Sequence, residues 1–289
     1  MSRNVVMVLA SFLLVFLAGP SIAGETEEKS LWEVRIGGGV VYWPHYIGSN
    51  QHNTLPMVLP YVLYRGDFLR ADREGLRGIF FSSKRFALDL SISMSSPVKS
   101  KNNDIRQNMP DIPFTAEIGP RIVFQIYGGE DGPDVLGRVP WRRVWDIHGN
   151  PAGWTVEPEI LIRKYNMPPW DISLIVTASL LYGSTDYHDM FYSVDEQYSE
   201  TWRPAYRARE GLNSYLLSVV LGHTFSDKFS TWFFVRWRNL SDSVVAESPL
   251  VKSRDNISAG LWFSWSYWES ETKAKKKPRL IEPDDDIGS

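Results

Sequence analysis

The chain has 289 residues, of which 43% are apolar, 22% charged and 13% aromatic, and it contains no cysteine. That balance excludes a disordered chain, and the missing cysteine excludes thiol catalysis, thiolate metal sites, disulfides and cysteine-anchored lipidation. Lysine and arginine number 31 against 34 aspartate and glutamate, a net charge of −3, so no overall basic field invites nucleic acid.

Residues 1–23 read as a secretory signal peptide. Arg3 precedes Val5–Leu17, a stretch apolar except for Ser11, and Ser21-Ile22-Ala23 places small residues where a signal peptidase reads them. The apolar stretch is shorter than the roughly 20 residues a spanning helix needs. Cleavage is expected after Ala23. No later stretch has 18 consecutive apolar residues, so no transmembrane helix is predicted.

Beyond the signal, the chain alternates with period two. Phe86, Leu88, Leu90, Ile92 and Met94 fall on one side of their segment, and Ala87, Asp89, Ser91 and Ser93 on the other. Ile118, Ile122, Phe124 and Ile126 oppose Glu117, Arg121 and Gln125; Ile257, Leu261, Phe263, Trp265 and Tyr267 oppose Ser258, Gly260, Ser264 and Ser266. Ten strands are predicted: 31–43, 54–64, 67–82, 85–94, 113–127, 153–165, 171–182, 211–225, 228–239 and 256–268. Several exceed the five or six residues usual in soluble sheets and match the nine to eleven or so that cross a bilayer when tilted. Aromatic pairs such as Tyr42-Trp43 and Tyr267-Trp268 sit at segment ends, where rings favour the headgroup level. The expected fold is therefore all-β, an antiparallel transmembrane β-barrel of about ten strands spanning 24–268, with a charged periplasmic tail at 269–289.

With both termini inside, connections 44–53, 128–152, 183–210 and 240–255 fall outside. Bacterial barrels keep inner turns short and outer loops long, and two connections break that rule. Segment 95–112 is long for an inner turn and 83–84 short for an outer loop. Splitting 67–82 at Glu74-Gly75 moves 95–112 outside, provided one more strand hides elsewhere; twelve strands is thus the alternative to ten.

Gly37-Gly38-Gly39-Val40 followed by Pro44-His45-Tyr46-Ile47-Gly48-Ser49 resembles the first strand and loop of the MipA/OmpV family of outer-membrane proteins. Leu55-Pro56 through Tyr61, Gly66-Asp67-Phe68-Leu69, Met109-Pro110-Asp111-Ile112, Glu117-Ile118-Gly119-Pro120, Tyr192-Ser193-Val194-Asp195 and Pro204-Ala205-Tyr206 resemble later family blocks in the same order. The resemblance implies a barrel in the Gram-negative outer membrane and a non-enzymatic role as a scaffold joining a murein hydrolase to a murein synthase. It supplies no catalytic residues and no cofactor. Segments 95–112 and 269–289 are the expected periplasmic docking surfaces, on a monomer surrounded by outer-membrane lipid.

The polar strand faces would point inward. Glu33, Arg35, Arg85, Asp89, Glu117, Arg121, Glu157, Glu159, Arg163, Arg236 and Arg238 are therefore the candidate lumen charges. Similar numbers of each sign in a narrow space favour mutual pairing, a salt-bridged plug, with a narrow pore as the functional alternative. For a lipid-modifying enzyme, the nearest arrangements are His223 with Thr224 and Ser226, and His188-Asp189 with Ser184; neither forms a recognisable nucleophile motif. Gly37-Gly38-Gly39 lacks the following Lys-Ser/Thr of a phosphate loop and reads as close packing within a strand.

Overall fold

A computed structural model describes residues 29–72, 75–128 and 132–275. The expected signal peptide and most of the charged tail lie outside the described residues. Thirteen strand segments form one antiparallel sheet: β1 Trp32–Pro44, β2 His52–Arg65, β3 Leu69–Asp72, β4 Gly75–Ser82, β5 Phe86–Ser95, β6 Thr115–Tyr127, β7 Asp134–Asp146, β8 Pro151–Val156, β9 Glu159–Met167, β10 Ile172–Gly183, β11 Gly211–Ser226, β12 Phe229–Asn239 and β13 Asp255–Glu269. The sheet closes where β13 pairs with β1, with Ile36 opposite Trp265 and Val41 opposite Gly260.

The wall has twelve positions. Strand β8 pairs with the loop-side half of β7 and β9 with the other half, and both pair with β10. They are two parts of one strand interrupted at Glu157-Pro158, because proline has no N–H for the ladder. Twelve, the alternative expected from the sequence, replaces ten. The two additional positions come from β7, inside the predicted loop 128–152, and from the division of 67–82 into β3 and β4.

That division relocates 95–112. It joins β5 to β6 at the same end as 45–51, 184–210 and 240–254, so it is an outer connection and not the inner turn expected. The loop contacts agree with this placement: Asn103 reaches His45 and Ser49, and the Asp104 N–H donates to the Gln51 side chain at 2.7 Å. The first and last described residues meet at the opposite end, where Ser30 bridges Lys273 and Lys275 pairs with Asp67 at 2.9 Å.

Period-two alternation governs the wall. Ile36, Val40, Val58, Val62, Ile122, Phe124, Ile126, Leu217, Leu221, Phe233, Ile257, Phe263 and Trp265 are exposed on its outside, while their neighbours in sequence turn inward. A closed sheet satisfies its backbone internally, which is what allows such an apolar belt to face hydrocarbon. Among the described residues the wall is incomplete at one place. Strand β2 meets β3 only at Tyr64–Ala71 and Arg65–Arg70, so His52–Leu63 is paired on its β1 side alone. Ser91–Ser95 of β5 likewise pairs only with β6. Pro56 and Pro60 lie in this half-paired stretch of β2, consistent with the confinement of strand prolines to edges.

Candidate functional site

The inner surface is divided by chemistry. Along β5 to β10 it is ionic. Arg121 grips Asp89 through two hydrogen bonds of 2.9 and 2.7 Å. Arg163 reaches Asp134 at 3.3 Å and Arg138 reaches Glu159 at 3.5 Å. Glu157 accepts from Arg238 at 2.7 Å and from Ser179 at 3.0 Å, and Arg142 lies between Glu157 and Glu117 at 3.5 and 3.7 Å. Near the chain ends, Glu33 holds Arg35 at 2.7 Å and Arg65 at 2.6 Å. Most of these side chains are buried, so this part of the lumen is packed with paired charge.

Across the lumen, β1, β2, β12 and β13 contribute an apolar stripe. Val41, Met57, Tyr61, Leu63, Trp232, Phe234 and Trp262 are buried together, with Trp43, Leu55 and Leu59 half-buried beside them. Glycines make room for the indoles. A Cβ on Gly37 would lie 2.2 Å from the Trp262 ring, and one on Gly222 would lie 1.9 Å from Trp232. The glycine run read as close packing thus has an identified partner.

The outer loops fold into a cover with its own core. Helix α1, Thr185–Tyr192, starts at Ser184, whose hydroxyl accepts from the Tyr187 N–H. Its Tyr187, Phe191 and Tyr192 pack with Tyr46, Val98, Ile112, Leu240 and Val245. Buried polar side chains tie the loops together. Tyr46 donates to the Leu250 carbonyl at 2.7 Å and Tyr192 to the Ile47 carbonyl at 3.0 Å. Arg106 donates to the Phe191 carbonyl at 3.1 Å, and Arg203 to those of Ile105 and Gln107 at 2.7 and 3.0 Å. Burial pushes the Tyr192 hydroxyl up to about 12 and raises Tyr46 well above an ordinary phenol. It holds Arg106 below its ordinary value.

Between cover and lumen lies a cavity of about 220 Å³. Trp43, Tyr46, Tyr187, Phe191 and Tyr192 form aromatic walls, and Arg236, Arg238, Asn256, Ser258, Ser95 and Ser96 supply polar groups. The structure brings most sequence-predicted charges into the lumen. Arg85 departs from that expectation: it is exposed in the turn before β5, beyond the inward-facing positions. Buried charges not expected from the sequence include Arg65, Arg70, Arg77, Asp134, Arg138 and Arg142; the last three belong to β7, the strand concealed in the predicted loop 128–152.

Neither His188 nor His223 stands in the hydrolytic arrangement weighed from the sequence. His188 is fully buried, with Nδ1 against the Arg209 carbonyl, and burial lowers its pKa. Ser184 caps the helix, while Asp189 accepts from Ser193. His223 shares a strand face with exposed Leu221 and Phe225 and meets the Phe225 ring edge-on at 4.5 Å.

A family model described as MltA-interacting protein MipA matches residues 36–267. The chain belongs to this family. The match runs from within β1 to within β13, so the MipA family segment spans nearly all of the barrel wall. No curated protein sequence matches the chain. Among solved structures, an outer membrane channel from Pseudomonas putida F1 is similar with a TM-score of 0.45 and 10% identity, over 84% of this chain and 97% of that one. The translocator domain of the autotransporter NalP from Neisseria meningitidis gives a TM-score of 0.38 and 7% identity, over 85% and 91%. OprB of Pseudomonas putida gives 0.36 and 8%, over 84% and 100%.

Proposed function

We propose that this MipA-family barrel is a non-enzymatic, non-conducting scaffold of the Gram-negative outer membrane, monomeric after removal of its signal peptide. The observation that carries the reading is the filled lumen: paired Arg, Asp and Glu side chains pack its ionic part, and the outer loops pack over its mouth. A barrel built this way acts through its surfaces. The family description, MltA-interacting protein, supports a murein hydrolase as partner, and a murein synthase would be the second member of the assembly. Because 96–114 lies with the outer loops, the docking surface moves to the opposite end, where Ser30 and Lys273 meet: the short turns there and the tail 269–289. The mechanism is positional. The barrel holds that surface against the membrane while the partners act on murein.

The test combines two measurements on the purified barrel. In planar bilayers it is expected to give no stable conductance steps; ohmic steps would establish the channel reading in place of the plug. Immobilised barrel is expected to retain purified MltA-type hydrolase, with retention reduced by deleting 276–289. Absence of retention by the intact barrel would overturn the scaffold.

A further inference from the structure

The lumen contains one arrangement that neither a plug nor a periplasmic scaffold requires. Arg236 lines the cavity beneath the cover, yet among the described residues it has no ion-pair or hydrogen-bond partner. Its guanidinium rests over the Phe234 ring, 5.3 Å from the centroid. The adjacent Arg238, by contrast, is bound to Glu157. An unpaired guanidinium at a cavity is a fixed cation with all its donors available. Ser258 stands opposite Arg236 in the ladder, and Asn256 lines the same space.

The rest of the cavity would suit an apolar body. Its aromatic wall continues from Trp43 onto the stripe of Leu55 and Leu59, both only half-buried. This stripe belongs to the stretch of β2 that lacks a partner on its β3 side, and Ser95 and Ser96, at the unpartnered end of β5, also line the cavity. At the level of the β3–β4 hairpin, β2 and β5 are three strand spacings apart, about 14 Å. Above it no ladder joins them among the described residues. Pro56 and Pro60 lack the N–H groups that an added strand would need, so the β2 edge is poorly suited to sealing by strand addition. The cavity, at the outer ends of β1, β5, β12 and β13, therefore borders the outer part of this interruption in the wall.

We propose that this cavity binds a single-chain aliphatic carboxylate, its head on Arg236 and its chain along Trp43, Leu55 and Leu59 toward the gap between β2 and β5. An inorganic anion would leave the aromatic walls wet. A single chain suits a cavity of about 220 Å³, and a two-chain lipid is bulkier than that space. The gap gives the chain a path from the surrounding hydrocarbon that bypasses both the outer cover and the ionic packing below.

The test is calorimetric titration of the folded full-length barrel in dodecyl maltoside with octanoate, octanol and acetate. Octanoate is expected to bind saturably, and octanol and acetate at least about tenfold more weakly. Arg236→Gln should weaken octanoate about tenfold and leave octanol unchanged, as expected when a single charge-assisted contact is lost. Ser258→Trp, which fills the cavity from β13, should abolish saturable binding. Equal binding of octanoate and octanol, or octanoate binding unaffected by both substitutions, would show partition into the micelle and overturn the site. Folding of each variant is read from the heat-dependent gel shift. If Arg236→Gln fails to fold, Arg236→Lys takes its place: it keeps the charge and should retain octanoate, and loss of octanoate with Arg236→Lys while Ser258→Trp still binds would equally reject the assignment.

Discussion

The side-chain amide of Asn103 donates to Nδ1 of His45 across 3.0 Å, tying the β5–β6 loop to the β1–β2 loop. Only an imidazole unprotonated at Nδ1 can accept this bond. Burial, reinforced by nearby His52, holds the His45 pKa below its ordinary 6.5. An opened loop would return the ring toward that value, so the opened form takes up the proton first as pH falls below 6.5. The closed arrangement is thus fully favoured above pH 6.5 and loses stability between 6.5 and the lowered pKa. Amide exchange in 97–113 should accelerate at pH 5.5 relative to pH 7.5 after correction for intrinsic rates. Asn103→Ala should speed it at both pH values and flatten the dependence. A pH dependence unchanged in Asn103→Ala would remove this pair as its cause.

The Asp89–Arg121 pair predicts an asymmetry between single and double substitution. Both side chains are buried and joined by two short hydrogen bonds. Removing one leaves a buried charge, at a cost of about 3–5 kcal/mol, whereas replacing both with apolar groups is often nearly neutral. Asp89→Leu alone should therefore lower the urea midpoint of the folded band, and Asp89→Leu with Arg121→Leu should restore most of it. Equal loss in the single and double variants would mean that the pair stabilises the barrel beyond its desolvation cost.

These features were unequally legible. Glu117, Asp89 and Arg121 fall on the polar side of clean alternations, so their inward direction could be read from spacing. Strand β7 hid because its two faces are mixed: Leu136, Pro140 and Val144 share a side with Asp134, Arg138 and Arg142, while Arg143 lies among Val139, Trp141 and Trp145 on the other. With β7 missed, Arg138 and Asp134, the partners of Glu159 and Arg163, were missed as well, as was Arg142 beside Glu157, whose other partner, Arg238, lies on an expected strand. The misplacement of 95–112 followed from parity alone, since one undetected hairpin reverses every later connection until another strand compensates. The cavity was not visible at all. It depends on loops whose contacts, such as Tyr46 with Leu250, join residues about 200 positions apart, and period two carries no information about such pairings.

Packing of Trp232 over Gly222 predicts a rescue. A methyl on Gly222 would meet the indole at 1.9–2.3 Å, and Trp232 is buried and has little room to retreat. Overpacking of this kind costs about 1–3 kcal/mol. Gly222→Ala should reduce the folded fraction after refolding into detergent, and adding Trp232→Leu should recover it by removing the obstructing ring. If Gly222→Ala refolds like the wild type, the indole is not confined as described.

Arg203 predicts how firmly the outer cover is shut. Its guanidinium donates to the carbonyls of Ile105 and Gln107 on one loop and of Tyr198 on another, the last through two nitrogens at 3.1 and 2.7 Å. Arg203→Met keeps the apolar stem and removes every donor, leaving buried carbonyls without their charged partner. Hydrogen bonds to charged groups contribute about 1.5–3 kcal/mol each, so opening of 96–114 should become at least tenfold more frequent. Arg106 reports that opening, because its side chain is 3% exposed and bound to the Phe191 carbonyl, which makes it a tryptic site only when the loop lifts. Trypsin added to intact outer-membrane vesicles should cut after Arg106 at least tenfold faster in Arg203→Met. The heat-dependent shift of the barrel should be unchanged, since Arg203 touches no strand through these bonds. Equal cleavage rates would mean that the apolar contacts of Tyr46, Phe191 and Tyr192 hold the cover closed without Arg203.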